Sequence, residues 1–129
     1  MVVDTSAIVC ILFAEPEAKR FARVLAGAPQ LVVSGPTWVE ASVVITARLG
    51  EAGHFLLTEL LSRSNIVTVP CDAMLAKFAY EAWLQYGRGR HPAALNFGDC
   101  FSYALARQRS EPLLFKGDDF SKTDIEAAA

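Results

Sequence analysis

The sequence of 129 residues predicts a single α/β domain, residues 1–129, with a mainly parallel sheet of four to five strands and helices on both faces. Two observations lead there. Short apolar runs alternate with longer stretches at helical spacing, the order in which parallel strands and their crossover helices follow one another. Apolar residues make up 53% of the chain, and no linker, repeat or low-complexity segment divides it. A chain of this length can bury a proper core without disulfide or metal staples.

Residues 1–3 (MVV) read as a short buried strand. Residues 5–14 (TSAIVCILFA) are mostly apolar and read as a buried helix. Pro16 opens a second helix that runs to about Ala26, proline being favoured at the first helical position. Residues 30–33 (QLVV) form the second strand. Gly35-Pro36 then turns the chain into a long helix over residues 37–49. Gly50 and Gly53 punctuate that run, and residues 51–64 continue as another helix with Phe55, Leu56, Leu60 and Leu61 at helical spacing. Residues 66–69 (IVTV) are the third strand. Asp72 caps the next helix, which reaches Tyr86 and carries Leu75, Phe78, Ala79, Ala82 and Trp83 on one face. Residues 87–95 (GRGRHPAAL) read as an exposed basic loop. A helix from Asn96 or Phe97 to about Arg109 precedes a fourth strand at residues 113–115. Ile125 adds a short edge strand.

Charge and cysteine content narrow the function. The net charge is −2 and the pI about 5.6, which excludes a general DNA-coating role. Setting aside four of the 14 acids leaves 10 against 12 bases, so a chain that gathers four carboxylates around metal has a mildly basic remainder. Cys10, Cys71 and Cys100 are odd in number and widely spaced, which gives neither a disulfide framework nor a zinc pattern. Two of them sit inside apolar stretches and read as small core side chains, and a reducing, cytoplasmic compartment fits. No targeting segment is expected, since the first basic side chain is Lys19. The longest uncharged stretch holds prolines and glycines and is too short to span a bilayer.

The chemistry-bearing residues are acidic. Asp4 follows the first strand. Glu40 lies one turn into the helix after the second. Asp99 stands in the first turn of the helix that feeds the fourth strand, and Asp118 and Asp119 follow that strand. In parallel α/β folds, sites collect at the carboxyl ends of strands. Each acid has a plain structural use: Asp4 as a helix cap, Thr37 with Glu40 and Asn96 with Asp99 as capping boxes, Asp118-Asp119 as turn residues. Their convergence on one sheet edge is what capping does not explain, because carboxylates brought together repel unless a cation lies among them. Mg²⁺ prefers such oxygen ligands and can activate water on a phosphodiester. There is no Walker loop and no nucleophile elbow, and two histidines are too few for a His-rich zinc site.

The ordered set Met1-Val2-Val3-Asp4-Thr5-Ser6-Ala7, Glu40, Asn96-Phe97-Gly98-Asp99-Cys100 and Leu113-Leu114-Phe115-Lys116-Gly117-Asp118-Asp119-Phe120 resembles the PIN-domain ribonucleases. More narrowly, it resembles the VapC toxins of bacterial VapBC toxin–antitoxin pairs. The resemblance implies a PIN-like parallel sheet, an RNA endonuclease dependent on Mg²⁺ or Mn²⁺, and neutralisation by a small VapB-like antitoxin. It makes Asp4, Glu40 and Asp99 the first three acids of the site. The fourth is Asp119, directly before Phe120, or Asp118; many family members place it where this chain has Gly117. Ser6 matches a hydroxyl that holds the first acid or a metal-bound water, and Asn96 is a further candidate for that supporting role.

On this reading Asp4 and Asp99 contact metal directly, and Glu40 and Asp119, with Asp118 in reserve, complete the set around a metal-activated water. Arg88, Arg90, His91 and Lys116, with Lys122, are candidates to hold RNA phosphates. The helix over residues 37–49, with Trp38, Val39, Val43 and Val44, offers apolar surface for a homodimer or an antitoxin segment. Two alternatives stand beside this: a metal-dependent phosphatase, which would want Asp-x-Asp where this chain has Asp4-Thr5-Ser6, and a catalytically silent domain of the same fold that only binds RNA or protein.

Overall fold

The computed structural model describes residues 1–129. Four strands, β1 (Val2–Val3), β2 (Leu31–Ser34), β3 (Ile66–Val69) and β4 (Leu113–Leu114), form one sheet in the order β3-β2-β1-β4. Every pairing is parallel, with Val2 opposite both Val32 and Leu113. Side chains alternate between the two faces of a strand. Val2, Val32 and Leu113 therefore join one buried cluster, while Val3, Leu31, Val33 and Leu114 join the other. β1, β2 and β4 are buried on both faces, whereas edge strand β3 leaves Val67 and Thr68 exposed.

Helices α1 (Thr5–Leu12), α2 (Ala18–Gly27) and α3 (Gly35–Arg63) supply the cluster around Val3. Helices α4 (Ala73–Tyr86) and α5 (Phe97–Arg109) supply the cluster around Val2. No helix is long and apolar enough to cross a membrane.

Local chemistry moves several boundaries. α1 stops at Leu12 because Ala14 turns to φ 51°. Pro16 sits in the turn ahead of α2, not at its first position. The two helices expected over residues 37–64 are continuous except at Gly50, whose φ of 67° and ψ of −159° break the helix. That region is open to glycine almost alone. The second limb folds back on the first, so that His54 reaches Ser42 at 3.3 Å and meets the Trp38 ring edge-on. Ser34 caps α3 by accepting from the Thr37 N–H. The expected Thr37–Glu40 capping box is therefore not the cap, and Glu40 is free for other work.

Two further expectations are corrected. The loop before α5 is exposed at its basic residues Arg88 and Arg90 but not throughout: Gly87 bridges to Leu95, and Ala93 and Leu95 are fully buried. The fifth strand is a single bridge between Leu113 and Ala127, two residues beyond Ile125, which packs against the core instead.

Candidate functional site

The site starts with Asp4, where β1 hands over to α1. Its carboxylate caps α1, as its position suggested, accepting from the Ser6 N–H at 2.9 Å and the Ser6 hydroxyl at 2.6 Å. The other oxygen accepts from the Ser102 hydroxyl at 2.6 Å. Asp4 is only 2% exposed, and it has no ion-pair partner. All its hydrogen-bond donors are neutral, so no cation of the protein's own stands beside it.

Glu40 projects from the second turn of α3 against the start of α5. A Cβ added at Gly98 would stand 2.0 Å from its Oε2, so this glycine is what lets the carboxylate approach. Burial pushes the Glu40 carboxyl up, and the Asp4 carboxylate adds to the rise, against a Thr5 hydroxyl that lowers it.

Asp99 does close a capping box with Asn96: its N–H donates to Asn96 Oδ1 at 2.8 Å, and its Oδ2 accepts from the Asn96 N–H at 2.9 Å. Yet its carboxyl is pushed up to about 7. Burial is the main cause. The Asn96 N–H opposes it, and the carboxylates of Asp4, Asp119 and Glu40 reinforce it. These three are the acids the sequence set beside Asp99. Asp118 and Asp119 are both exposed; of the two, Asp119 bears on Asp99, and the Asp118 carbonyl accepts from Ser121.

None of the six ion pairs involves Asp4, Glu40, Asp99, Asp118 or Asp119. Oxygen donors that crowd one another without a basic partner suit a hard divalent cation. No three of the acids bring ligand atoms within 4.8 Å of one another. The one trio that close is Cys10, Glu15 and Glu17, and there the Lys116 ammonium already pairs with both glutamates. A cysteine nucleophile is disfavoured, because burial, then Asp99, raises the Cys100 thiol to about 11. Ser6 occupies the place where a phosphatase of the Asp-x-Asp kind needs its second acid, and its hydroxyl is committed to Asp4.

A family model described as PIN domain matches residues 1–126. The chain belongs to the PIN-domain family. It is 46% identical over 127 residues, 98% of each chain, to "Ribonuclease VapC" of Mycolicibacterium smegmatis. Its fold is similar to that of Mycobacterium tuberculosis VapC20, described as a sarcin-ricin loop cleaving toxin, with a TM-score of 0.78 at 20% identity over 96% of this chain and 95% of the other. A toxin–antitoxin complex from Klebsiella pneumoniae gives 0.70 at 19% identity, covering 95% and 92%.

In this PIN domain the basic side chains divide. Arg88 and Lys122 are exposed and form no ion pair. Arg90 is drawn back to α4, its Nε donating to the Leu84 carbonyl at 2.9 Å and its guanidinium lying over the Trp83 ring. His91 accepts from the Ala93 N–H and packs on Tyr86. Lys116 is committed to Glu15 and Glu17.

The apolar surfaces also differ from expectation. On α4 the buried side is Leu75, Ala79, Ala82 and Tyr86, leaving Phe78 and Trp83 exposed. Trp83 joins Tyr80, Phe97 and Phe101 in lining an apolar groove of about 320 Å³ between α4 and α5. Phe97, 79% exposed, lies two residues from Asp99. On α3, Val39 and Val43 are exposed as expected, together with Phe55 and Leu56 of the second limb, while Trp38 packs on the core.

Sequence reasoning missed Ser102, Thr37 and Gly98 as parts of the site. The available signals were a hydroxyl in the apolar run after Asp99 and a glycine inside a helix start.

Proposed function

We propose that this protein is a Mg²⁺-dependent RNA endonuclease, with Mn²⁺ able to replace Mg²⁺, and the toxin of a toxin–antitoxin pair. The observation that carries this is that the carboxylates of Asp4, Glu40 and Asp119 all bear on Asp99, with no cationic side chain paired to any of the four. A divalent ion held there supplies the positive charge that makes a phosphodiester open to attack by water. Asp4 and Asp99 hold it directly, and Glu40 and Asp119 complete the set. Ser6 fixes the rotamer of Asp4, and Asn96 that of Asp99. Of the five basic candidates, Arg88 and Lys122 are the two left free to meet RNA phosphates.

Attack by water, rather than by the RNA's own 2′-hydroxyl, leaves 5′-phosphate and 3′-hydroxyl ends. Fragments should therefore ligate to a 3′-hydroxyl-dependent adapter without prior end repair. Fragments ending in 2′,3′-cyclic phosphate would overturn the reading.

Partner binding fits the two exposed apolar surfaces. The outer face of α3, with Val39, Val43, Phe55 and Leu56, suits an amphipathic segment of the antitoxin. The aromatic groove between α4 and α5 suits a second copy of the chain, since aromatic residues are enriched where proteins meet. Trp83→Arg should convert a dimer to a monomer in light scattering; a monomeric wild type would remove the homodimer.

A further inference from the structure

Asp4 is held from both sides, and the two sides differ. Ser6 is its neighbour in the chain, whereas Ser102 reaches it from α5, 98 residues away. Ser102 is 1% exposed, and its hydroxyl has one proton, which goes to Asp4 Oδ1. The Thr37 hydroxyl, 3.2 Å from Ser102 Oγ, must then donate to Ser102. That leaves Thr37 Oγ1 to accept from Ser34 Oγ at 2.8 Å, and Ser34 Oγ accepts in turn from the Thr37 N–H at 3.1 Å. The donors run in one direction, from the first turn of α3 to the carboxylate. No buried side-chain polar atom in the protein lacks a partner, so the string is complete.

Its placement ties the acids together. Thr37 precedes Glu40 by three residues on α3, and Ser102 follows Asp99 by three on α5. Residues so spaced lie on one helix face. The Thr37–Ser102 contact therefore sets one acid-bearing helix against the other, and Ser102 sets both against Asp4.

We infer that Ser102 is a positioning residue for the metal site, locking the Asp4 carboxylate to α3 and α5 through the Ser34–Thr37–Ser102 hydroxyl string. This rests on the metal reading above. Groups that orient a metal ligand commonly change affinity 10- to 100-fold when removed.

The test is Mn²⁺ binding to the metal-free protein, followed by electron paramagnetic resonance, with folding checked by circular dichroism. Ser102→Ala should weaken binding about 10-fold or more. Thr37→Val, which leaves Ser102 able to donate to Asp4, should weaken it by less. Ser102→Ala with Thr37→Val should be no weaker than Ser102→Ala alone, because Thr37 acts through Ser102. Cleavage lost in Ser102→Ala should return at high Mn²⁺. Wild-type affinity in folded Ser102→Ala, or two losses that simply add, would overturn the inference. If Ser102→Ala does not fold, unchanged affinity in Thr37→Val overturns it. Wild-type protein that binds no Mn²⁺ would instead overturn the metal reading itself.

Discussion

Asp99→Asn should abolish RNA cleavage, by at least about 100-fold, since losing a direct ligand costs more than losing a group that orients one, while leaving the fold intact. Asn keeps an oxygen to accept the Asn96 N–H, the contact that Asp99 Oδ2 makes at 2.9 Å. What it removes is charge. A carboxyl raised to about 7 is one whose ionised form the fold disfavours. Stability from such a group is present below its unfolded pKa and lost as pH rises through the folded one. Metal-free wild type should therefore lose stability between about pH 4 and pH 7 on account of Asp99, by about 1–2 kcal/mol once solvent screening is allowed for. Asp99→Asn should flatten that slope in urea titrations with EDTA. Mg²⁺ should stabilise wild type more at pH 8 than at pH 6, because proton and ion compete for one oxygen. A variant as acid-favouring as wild type would show that Asp99 is not the source.

Gly98→Ala should separate stability from activity with opposite signs. Alanine within a helix is favoured over glycine by about 1 kcal/mol, so the thermal midpoint should hold or rise. The new Cβ would stand 2.0 Å from Glu40 Oε2, and the mobile end of that side chain is what gives way. Cleavage should fall about 10- to 100-fold, as for other disturbances of a ligand set. Unchanged cleavage by a stable Gly98→Ala protein would remove Glu40 from the site.

The sheet and its helices were legible because periodicity is a property of a single segment. The apolar run at Val2-Val3, the cap at Asp72 and the break at Gly50 each need only their neighbours to be read. The acids were legible as a set for the same reason, each falling at a strand end or helix start. What periodicity does not carry is which segments meet. Ser102 looks like any hydroxyl in a helix until α5 is laid beside β1. Lys116 looks free until the α1–α2 turn brings Glu15 and Glu17 to it. Arg90 and Trp83, apart in the sequence reading, stack on one another. The inward face of α4 was legible at Leu75, Ala79 and Ala82, but Phe78 and Trp83, assigned to the same face, stand exposed at its edge. Hydrophobic spacing alone draws the apolar face too wide, because it takes in large apolar side chains that the core does not cover.

The most direct test is cleavage itself. Purified, partner-free wild type should cut total cellular RNA in Mg²⁺ or Mn²⁺ and leave it whole in EDTA, and Asp99→Asn prepared in parallel should leave it whole throughout. Equal cutting in EDTA, or intact RNA in every lane from protein shown to be folded and to bind metal, would contradict the claim that these acids hold an ion that cuts RNA.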